Sequence, residues 1–422
     1  MKKIAIVGSG ISGLSAAWLL SQKYDVTLFE KESKCGGHSL TIDVEVDNKK
    51  FSFDVGFMVF NPAQYPNLTK LFKYLGVATK KTNMSFSVSV GEGDVEFSGS
   101  FPRGLFADTR NIFRPRFILF LFEILRFNSI ARKALKKDTV GEVTVGSFLE
   151  KHNFSTFFRR HYIYPMAGSI WSGSFGDVAE FPALVMFEFL DRHHLLEVGN
   201  KPLWETPSGG SRVYVQKMVE DIKKNNGKIL TETPITNIER NNDEITVKFL
   251  QESMTFDAVV VATHADSAIK MIGDLTEEEK EVLNKFEYST NRVVAHSDPS
   301  NMPQRKAAWS SWNFCCPPTG KAEHIYLTYR MNSIQHIDPK YPMFVTLNPL
   351  KDIDPDKLHA DFSLAHPKFN LETKKAQKEL PSLQGVKNTY YCGAYFGYGF
   401  HEDGLVSGIN VAKLFEVEPP WK

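Results

Sequence analysis

Cysteine is scarce in this 422-residue chain: Cys35, Cys315, Cys316 and Cys392 are all there is, and no pair has a zinc-ribbon or C-x-x-C spacing. Vicinal Cys315 and Cys316 rarely bond each other, so reduced thiols in a cytoplasmic setting are expected, without a disulfide framework or a metal site. Surplus charge is missing too. Fifty Lys and Arg face 49 Asp and Glu for a net +1, which leaves no bulk attraction to nucleic acid. No apolar run approaches the length of a spanning helix. Met1-Lys2-Lys3 and the apolar residues after it resemble the start of a signal peptide, but Gly8 ends the run too early. Internal repeats and low-complexity tracts are lacking, and Pro317-Pro318 and Pro419-Pro420 read as loop and tail punctuation. Phenylalanine, in contrast, is abundant at 33 residues, enough to fill a core or to line a cavity for something greasy. The length exceeds one simple core, so two structural domains are expected.

What is present starts at the first residue. Lys2 to Val7 is a short apolar strand, Gly8-Ser9-Gly10-Ile11-Ser12-Gly13 follows at once, Leu14 to Leu20 reads as a helix, and Val26 to Glu30 as a second strand. Strand, glycine turn, helix and a strand ending in an acid make the dinucleotide-binding βαβ unit. Gly8 permits the tight turn, Gly10 lets the backbone approach a pyrophosphate, and Gly13 allows the helix to pack closely on the strand. The pyrophosphate belongs at the helix N-terminus, where free N–H groups and the dipole favour an anion. Glu30 is placed to accept hydrogen bonds from the adenosine ribose hydroxyls. An adenine dinucleotide is therefore the expected ligand, with NAD and FAD equally open at this stage.

Further glycines follow. Lys31 precedes Gly36-Gly37-His38-Ser39, which offers more backbone N–H groups, and Thr41–Val46 and Lys50–Asp54 alternate around Asp47-Asn48 as a hairpin. Together with Asp54-x-Gly56, Gly209-Gly210 ahead of a helix, Pro234-Ile235-Thr236, Asp257 to Thr263, Gly393 and Gly399 to Gly408, these segments resemble the FAD-binding amine-oxidase superfamily, in its order and along the whole chain. That superfamily includes phytoene desaturases and protoporphyrinogen oxidase. Gly56-Phe57-Met58-Val59-Phe60-Asn61, Tyr65-Pro66-Asn67, Met84 to Val88, Gly168 to Ser172, His193-His194-Leu195-Leu196 and Phe400 to Gly404 are similar to a narrower branch. It is found alone in bacteria and fused ahead of cyclopropane fatty-acid synthases in plants, and it includes the furan fatty-acid biosynthesis desaturase.

The resemblance implies an α/β fold: a Rossmann-like FAD-binding domain of the amine-oxidase/glutathione-reductase type, with an interleaved α+β substrate domain. The FAD-binding pieces would be 1–82, 205–265 and 386–422, and the substrate domain 83–204 and 266–385. It implies FAD as cofactor, with contacts from Gly8 to Gly13, Glu30, Lys31, Gly36 to Ser39, Ile235, Ala262, Thr263, Gly393 and Ser407. The isoalloxazine would lie between Gly56-Phe57-Met58 and the stretch from His401 to Leu405. A helix starting near Gly404 would direct N–H groups at the ring, with Asp403 close by. Relatives often carry an acid after the glycine matching Gly393, and Ala394 departs from that pattern. His401, where amine oxidases place one aromatic of a cage, is a candidate acid or base near neutral pH. Glu402 is either a base or a capping acid, and Tyr162 is a third catalytic candidate. His193 and His194 diverge by about 100° on a helix, which argues against a shared ligand. Amine oxidases commonly use a Lys near flavin N5, and the stretch Ser289 to Val294 holds Arg292 instead, which disfavours amine oxidation.

From Arg103 to Lys137 nine Lys and Arg accompany only Asp108 and Glu123, around Phe117 to Phe122, Ile124, Leu125 and Phe127. Two readings stand: a substrate-domain helix with solvated ends, or peripheral docking at the inner face of a membrane. The branch implies desaturation of a fatty-acyl chain, a hydrophobic small molecule or phospholipid acyl group, by hydride transfer to the flavin. Flavin amine oxidation, non-redox fatty-acid isomerisation and a structural flavoprotein partnering a lipid methyltransferase are the alternatives.

Overall fold

The computed structural model describes residues 1–197, 199, 203–241, 244–317 and 324–421; Pro318, read above as loop punctuation, lies outside them. Lys3–Val7 and Asp25–Phe29 are the first two strands, with Ile11–Leu20 the helix between them. The helix is buried along its whole length, which explains why its sequence is apolar on every face. The strands belong to a parallel sheet in the order Thr389–Tyr391, Ala258–Val261, Lys3–Val7, Asp25–Phe29, Lys228–Leu230. Ile4 to Val7 and Ala258 to Val261 are almost wholly buried, as expected for strands covered on both faces. A three-stranded antiparallel sheet, Ile235–Asn241, Glu244–Phe249 and Glu252–Phe256, precedes the Ala258–Val261 strand.

A second, mixed sheet runs Leu358–Pro367, Tyr288–His296, Phe344–Leu347, Leu327–Arg330, Trp312–Cys316, Phe86–Val90, Val95–Ser98. Helices between 115 and 192 pack with it around a phenylalanine-rich core that includes Phe117, Phe120, Phe127, Phe158 and Phe187. Much of the phenylalanine surplus is therefore ring-on-ring core packing; Phe127, for example, meets Phe154, Phe158 and Phe187. The strands of the parallel sheet come from 1–82, 205–265 and 386–422, and those of the mixed sheet from the remaining segments. The helices cross that line. Ala265–Met271, Glu277–Leu283 and Leu371–Glu379 pack with Val7, Phe29 and Val259, so parts of 266–385 cover the dinucleotide sheet rather than build the substrate domain.

The hairpin Thr41–Val46/Lys49–Asp54 is antiparallel, and its last residue ties the two units together. The fully buried Asp54 carboxylate accepts from Thr41 Oγ1 (2.6 Å), Ser211 N and Oγ, and Gln335 Nε2 (2.6 Å). Gln335 lies at the end of the short helix Met331–Ile334. No helix among the described residues is long and apolar enough to cross a membrane, and all four cysteines are free.

Candidate functional site

The glycine turn lies at the carboxyl end of Lys3–Val7, where open parallel sheets bind ligands. Gly8 has φ +99°, and a Cβ there would stand 3.0 Å from the Ala262 carbonyl oxygen. A Cβ on Gly13 would come within 1.9 Å of the Gly8 carbonyl oxygen, so the helix can start here only with glycine. A Cβ on Gly10, in contrast, would meet nothing within 4 Å. That opening at the helix N-terminus is the space a pyrophosphate requires. Gly37, at φ +55°, closes on it, with its Cβ position 3.0 Å from Gly10 Cα.

Glu30 locks the turn. Its carboxylate accepts from Ser9 N (2.9 Å), Ser9 Oγ and Glu32 N (3.0 Å). Gly36 N donates to Ser9 O at 3.0 Å, which brings the second glycine pair onto the first. Two carboxylate oxygens retain capacity for further donors such as ribose hydroxyls. Lys31 is exposed and pairs with Glu32 at 3.6 Å. Ile235 is half-buried at the start of its strand, and Ser12 lies buried beneath the turn.

His38 supplies a second mark of a ligand-binding site: its Nε2 is buried with no hydrogen-bond partner among the described residues. Its ring lies 5.3 Å from His366 and 6.1 Å from His264, centroid to centroid. Burial holds all three imidazoles neutral, with His264 lowered to about 4 and His366 to about 3. They do not form a metal cluster; none is found among the described residues. His264 stacks on Tyr288 at 4.3 Å, and His366 Nδ1 faces Asn291 Nδ2 at 3.2 Å. His264 was legible in principle, since it follows the carboxyl end of Ala258–Val261. His366 comes from the mixed sheet, and only the docking of the two units brings it here.

The far end of the cleft is built by Phe57 and the C-terminal helix His401–Leu414. A Cβ on Gly56 would fall 2.1 Å from the His38 carbonyl oxygen, and Phe57 N donates to that oxygen at 2.7 Å. The rings of Phe57 and His401 stack directly at 3.8 Å and 8°, so, contrary to expectation, no flavin ring fits between these two side chains. His401 Nε2 is 2.8 Å from Tyr214 Oη, and Tyr214 Oη in turn contacts Ser39 Oγ. Tyr214 is fully buried on the helix Arg212–Lys224 and carried no motif that singled it out. Met58 is buried, its carbonyl accepting from Thr206 Oγ1 at 2.8 Å. Phe400 stacks on Phe189 at 4.8 Å, and Trp171 lies 6.0 Å from Phe400, so Trp171 borders this end of the site.

Three further expectations change, and the choice left open at Glu402 is decided. His401 is not poised near neutrality: burial, with His38 nearby, lowers it to about 3. Glu402 is a cap, and not of its own helix. Oε1 accepts from Asn67 N and Nδ2 and Oε2 from Leu68 N, all at 2.9 Å, satisfying the free N–H groups that open Pro66–Leu75. Tyr162 packs against Phe120 and Phe158 in the phenylalanine core, where burial pushes its phenol up to about 12. The C-terminal helix begins at His401, not near Gly404, and Gly404 and Gly408 serve its packing on Ile11–Leu20. Cβ atoms there would fall 2.7 Å from Ile11 Cγ2 and 2.1 Å from Ser15 Oγ.

Other assigned residues sit around this junction. Asp403 accepts from Tyr398 N (3.0 Å) and Phe400 N (2.9 Å), and burial pushes it up to about 6. Ser407 Oγ accepts from Gly393 N at 3.0 Å, and Leu405 is buried between the helices. Thr263 Oγ1 donates to His264 O at 3.1 Å. His193 lies buried with Nδ1 2.9 Å from Phe189 O, while His194 turns away at φ +54°. Arg292 is bound to Asp361 at 2.7 Å on the exposed face of its strand.

Residues 11–302 match the family model described as flavin containing amine oxidoreductase. An uncharacterized protein of Methanocaldococcus jannaschii is 25% identical over 260 residues, 61% of this chain and 57% of that protein. The match thus spans little more than half of that relative's length. Cyclohexylamine oxidase from Brevibacterium oxydans IH-35A has the same fold, with TM-score 0.69, 15% identity and coverage of 98% of this chain and 99% of that one. A CLA-producing fatty acid isomerase from P. acnes superposes with TM-score 0.63, 15% identity and coverage of 98% and 99%.

Proposed function

The chain belongs to the flavin-containing amine oxidoreductases, and from that premise we propose that this FAD-dependent oxidoreductase dehydrogenates a fatty-acyl chain. One observation carries the reading: the groups meeting at the Phe57 end of the cleft are apolar or neutral. Phe57, His401, Phe400 and Trp171 gather there. Glu402 and Asp403 are already engaged with backbone N–H groups, and Glu188 accepts from Tyr398 Oη at 2.7 Å. An uncharged hydrocarbon segment needs such a setting and offers nothing for a charged partner to hold. The likeness to a structure named as a fatty acid isomerase supports the same substrate class.

FAD, when bound, supplies the two-electron acceptor. Gly8 to Gly13 and Gly36-Gly37 would hold its diphosphate, and the unpartnered His38 Nε2 would face its polar linker. Neutral His401, fixed by Phe57 and Tyr214, excludes water and holds a proton at one ring nitrogen without carrying charge. The Ser39–Tyr214–His401 chain keeps that imidazole in one orientation.

Anaerobic mixing of the holoprotein with acyl phospholipids, methylated ones included, is expected to bleach the oxidised-flavin absorbance. Bleaching by amines alone, with peroxide released in air, would replace this reading by amine oxidation, which the family name favours. Double-bond migration with no electron acceptor would make the enzyme an isomerase.

A further inference from the structure

On one face of the helix Pro115–Lys136 the apolar side chains are left uncovered by the described residues. Phe117, Phe120, Phe127, Ala131 and Ala134 are buried on the opposite side. At about 100° per residue, Leu119, Phe122 and Leu125 lie within one third of the circumference. Leu119 and Phe122 are each 64% exposed, and Phe113, on the preceding turn, is 84% exposed. Arg126 and Lys133 continue the same stripe toward the C-terminal end, with Lys136 and Lys137 beyond. Glu123, the one acid in the helix, is turned to Ser155, whose N and Oγ it accepts from at 2.7 and 2.5 Å.

A cavity of about 240 Å³ opens at the N-terminal end of this helix, where Arg116 is the one helix residue in its lining, beside Arg160, His161, Asp94 and Phe157 among others. The Arg116 guanidinium lies 4.3 Å over the Phe157 ring, and His161 stacks on the same ring at 3.9 Å. Of the acids nearby, Asp108 is buried and pairs with Arg110 at 2.8 Å, and Asp94, at the cavity wall, pairs with Arg114 at 3.5 Å. Arg116, Arg160, Lys133, Lys136 and Lys137 make no ion pair among the described residues.

We propose that this face docks the protein on an anionic phospholipid bilayer. Phe113, Leu119, Phe122 and Leu125 enter the interface, the basic stripe lies along the headgroups, and the Arg116–Arg160 cavity receives a lipid phosphate. Large rings flanked by unpaired cations match the two layers of such a surface, apolar and anionic. A second copy of the chain fits poorly, since a two-fold contact would set the same cations against each other. The docking stands whichever bond the flavin oxidises.

Co-sedimentation of the holoprotein with vesicles tests it. Binding to phosphatidylcholine vesicles containing phosphatidylglycerol should exceed binding to phosphatidylcholine alone by about tenfold or more, and should fall at high salt. Leu119→Gln/Phe122→Gln/Leu125→Gln should abolish it with bound flavin retained, since these side chains support no core. Arg116→Glu/Arg160→Glu should remove the preference for the anionic lipid. Absent binding, equal binding to both vesicles, or an unaffected triple variant would overturn the proposal. So would a dimer in solution that the triple variant dissociates, which would assign the face to a second copy.

Discussion

His401 illustrates how burial decides what a residue can do. Its sequence position made it an acid–base candidate, yet a ring lowered to about 3 stays neutral throughout the working range. The kcat/KM profile should therefore show no inflection from His401 near pH 6.5, where a free imidazole titrates. Profiles of the wild type and His401→Gln should keep the same shape; an inflection lost in the variant would show that the ring does ionise. Tyr214→Phe leaves Ser39 Oγ and His401 Nε2 without their shared partner. A destabilisation of about 1–3 kcal/mol is expected from such unpaired buried groups, read as a lower denaturant midpoint with flavin still bound.

At the scale of elements, the cofactor cradle depends on how two helices meet. Ile11–Leu20 and His401–Leu414 cross with almost no space between them because Gly404 and Gly408 face Ile11, Ser12 and Ser15. Gly408→Ala should cost about 1–3 kcal/mol by overpacking and weaken flavin retention on dialysis. Gly10 and Gly13 should separate cleanly. Gly13→Ala meets the Gly8 carbonyl and should prevent a folded holoprotein, whereas Gly10→Ala enters open space and should fold while binding FAD more weakly. Soluble yield and flavin content of the two variants distinguish these outcomes. The Pro66–Leu75 helix gives a further test. Glu402→Ala should lower stability by about 1 kcal/mol, the worth of an N-terminal cap. Flavin reduction by substrate should persist, and Glu402→Gln should recover part of the stability. Loss of reduction with stability intact would return Glu402 to the role of base.

Across the whole molecule, burial lowers nine of the twelve histidines, His161, His193 and His296 each to about 4. Below about pH 6.5 the unfolded chain binds protons that the native state refuses, so stability falls with pH through that window. Asp403, raised to about 6, acts oppositely: its contribution is full below the unfolded value near 4 and is lost as pH rises through 6. Asp54, also raised by burial, acts in the same sense, but two carboxyls do not outweigh nine imidazoles. The urea midpoint should therefore drop between pH 7 and pH 5, and a midpoint that rises over that range would contradict the assignment.

The dinucleotide unit was legible because its signals are local. Gly8, Gly10 and Gly13 act on the backbone within a few residues, and the strands on either side declare themselves by their apolar runs. The glycines and acids near residue 400 were visible as motifs, but their tasks were not. Glu402 caps a helix more than 330 residues away in sequence, Gly404 and Gly408 seat one helix on another, and Tyr162 disappears into a core that the phenylalanine count announced without locating. His366 and Tyr214 reach the cleft only because separate sheets and helices dock there. From the sequence alone came the class of cofactor and the turn that holds it, since both follow from backbone conformation in a short stretch of chain. The tertiary structure alone decided which imidazoles lose their charge, which acids remain free to react, and which greasy helix face is left to the outside. Each of those depends on desolvation and partners contributed by elements far apart in the chain.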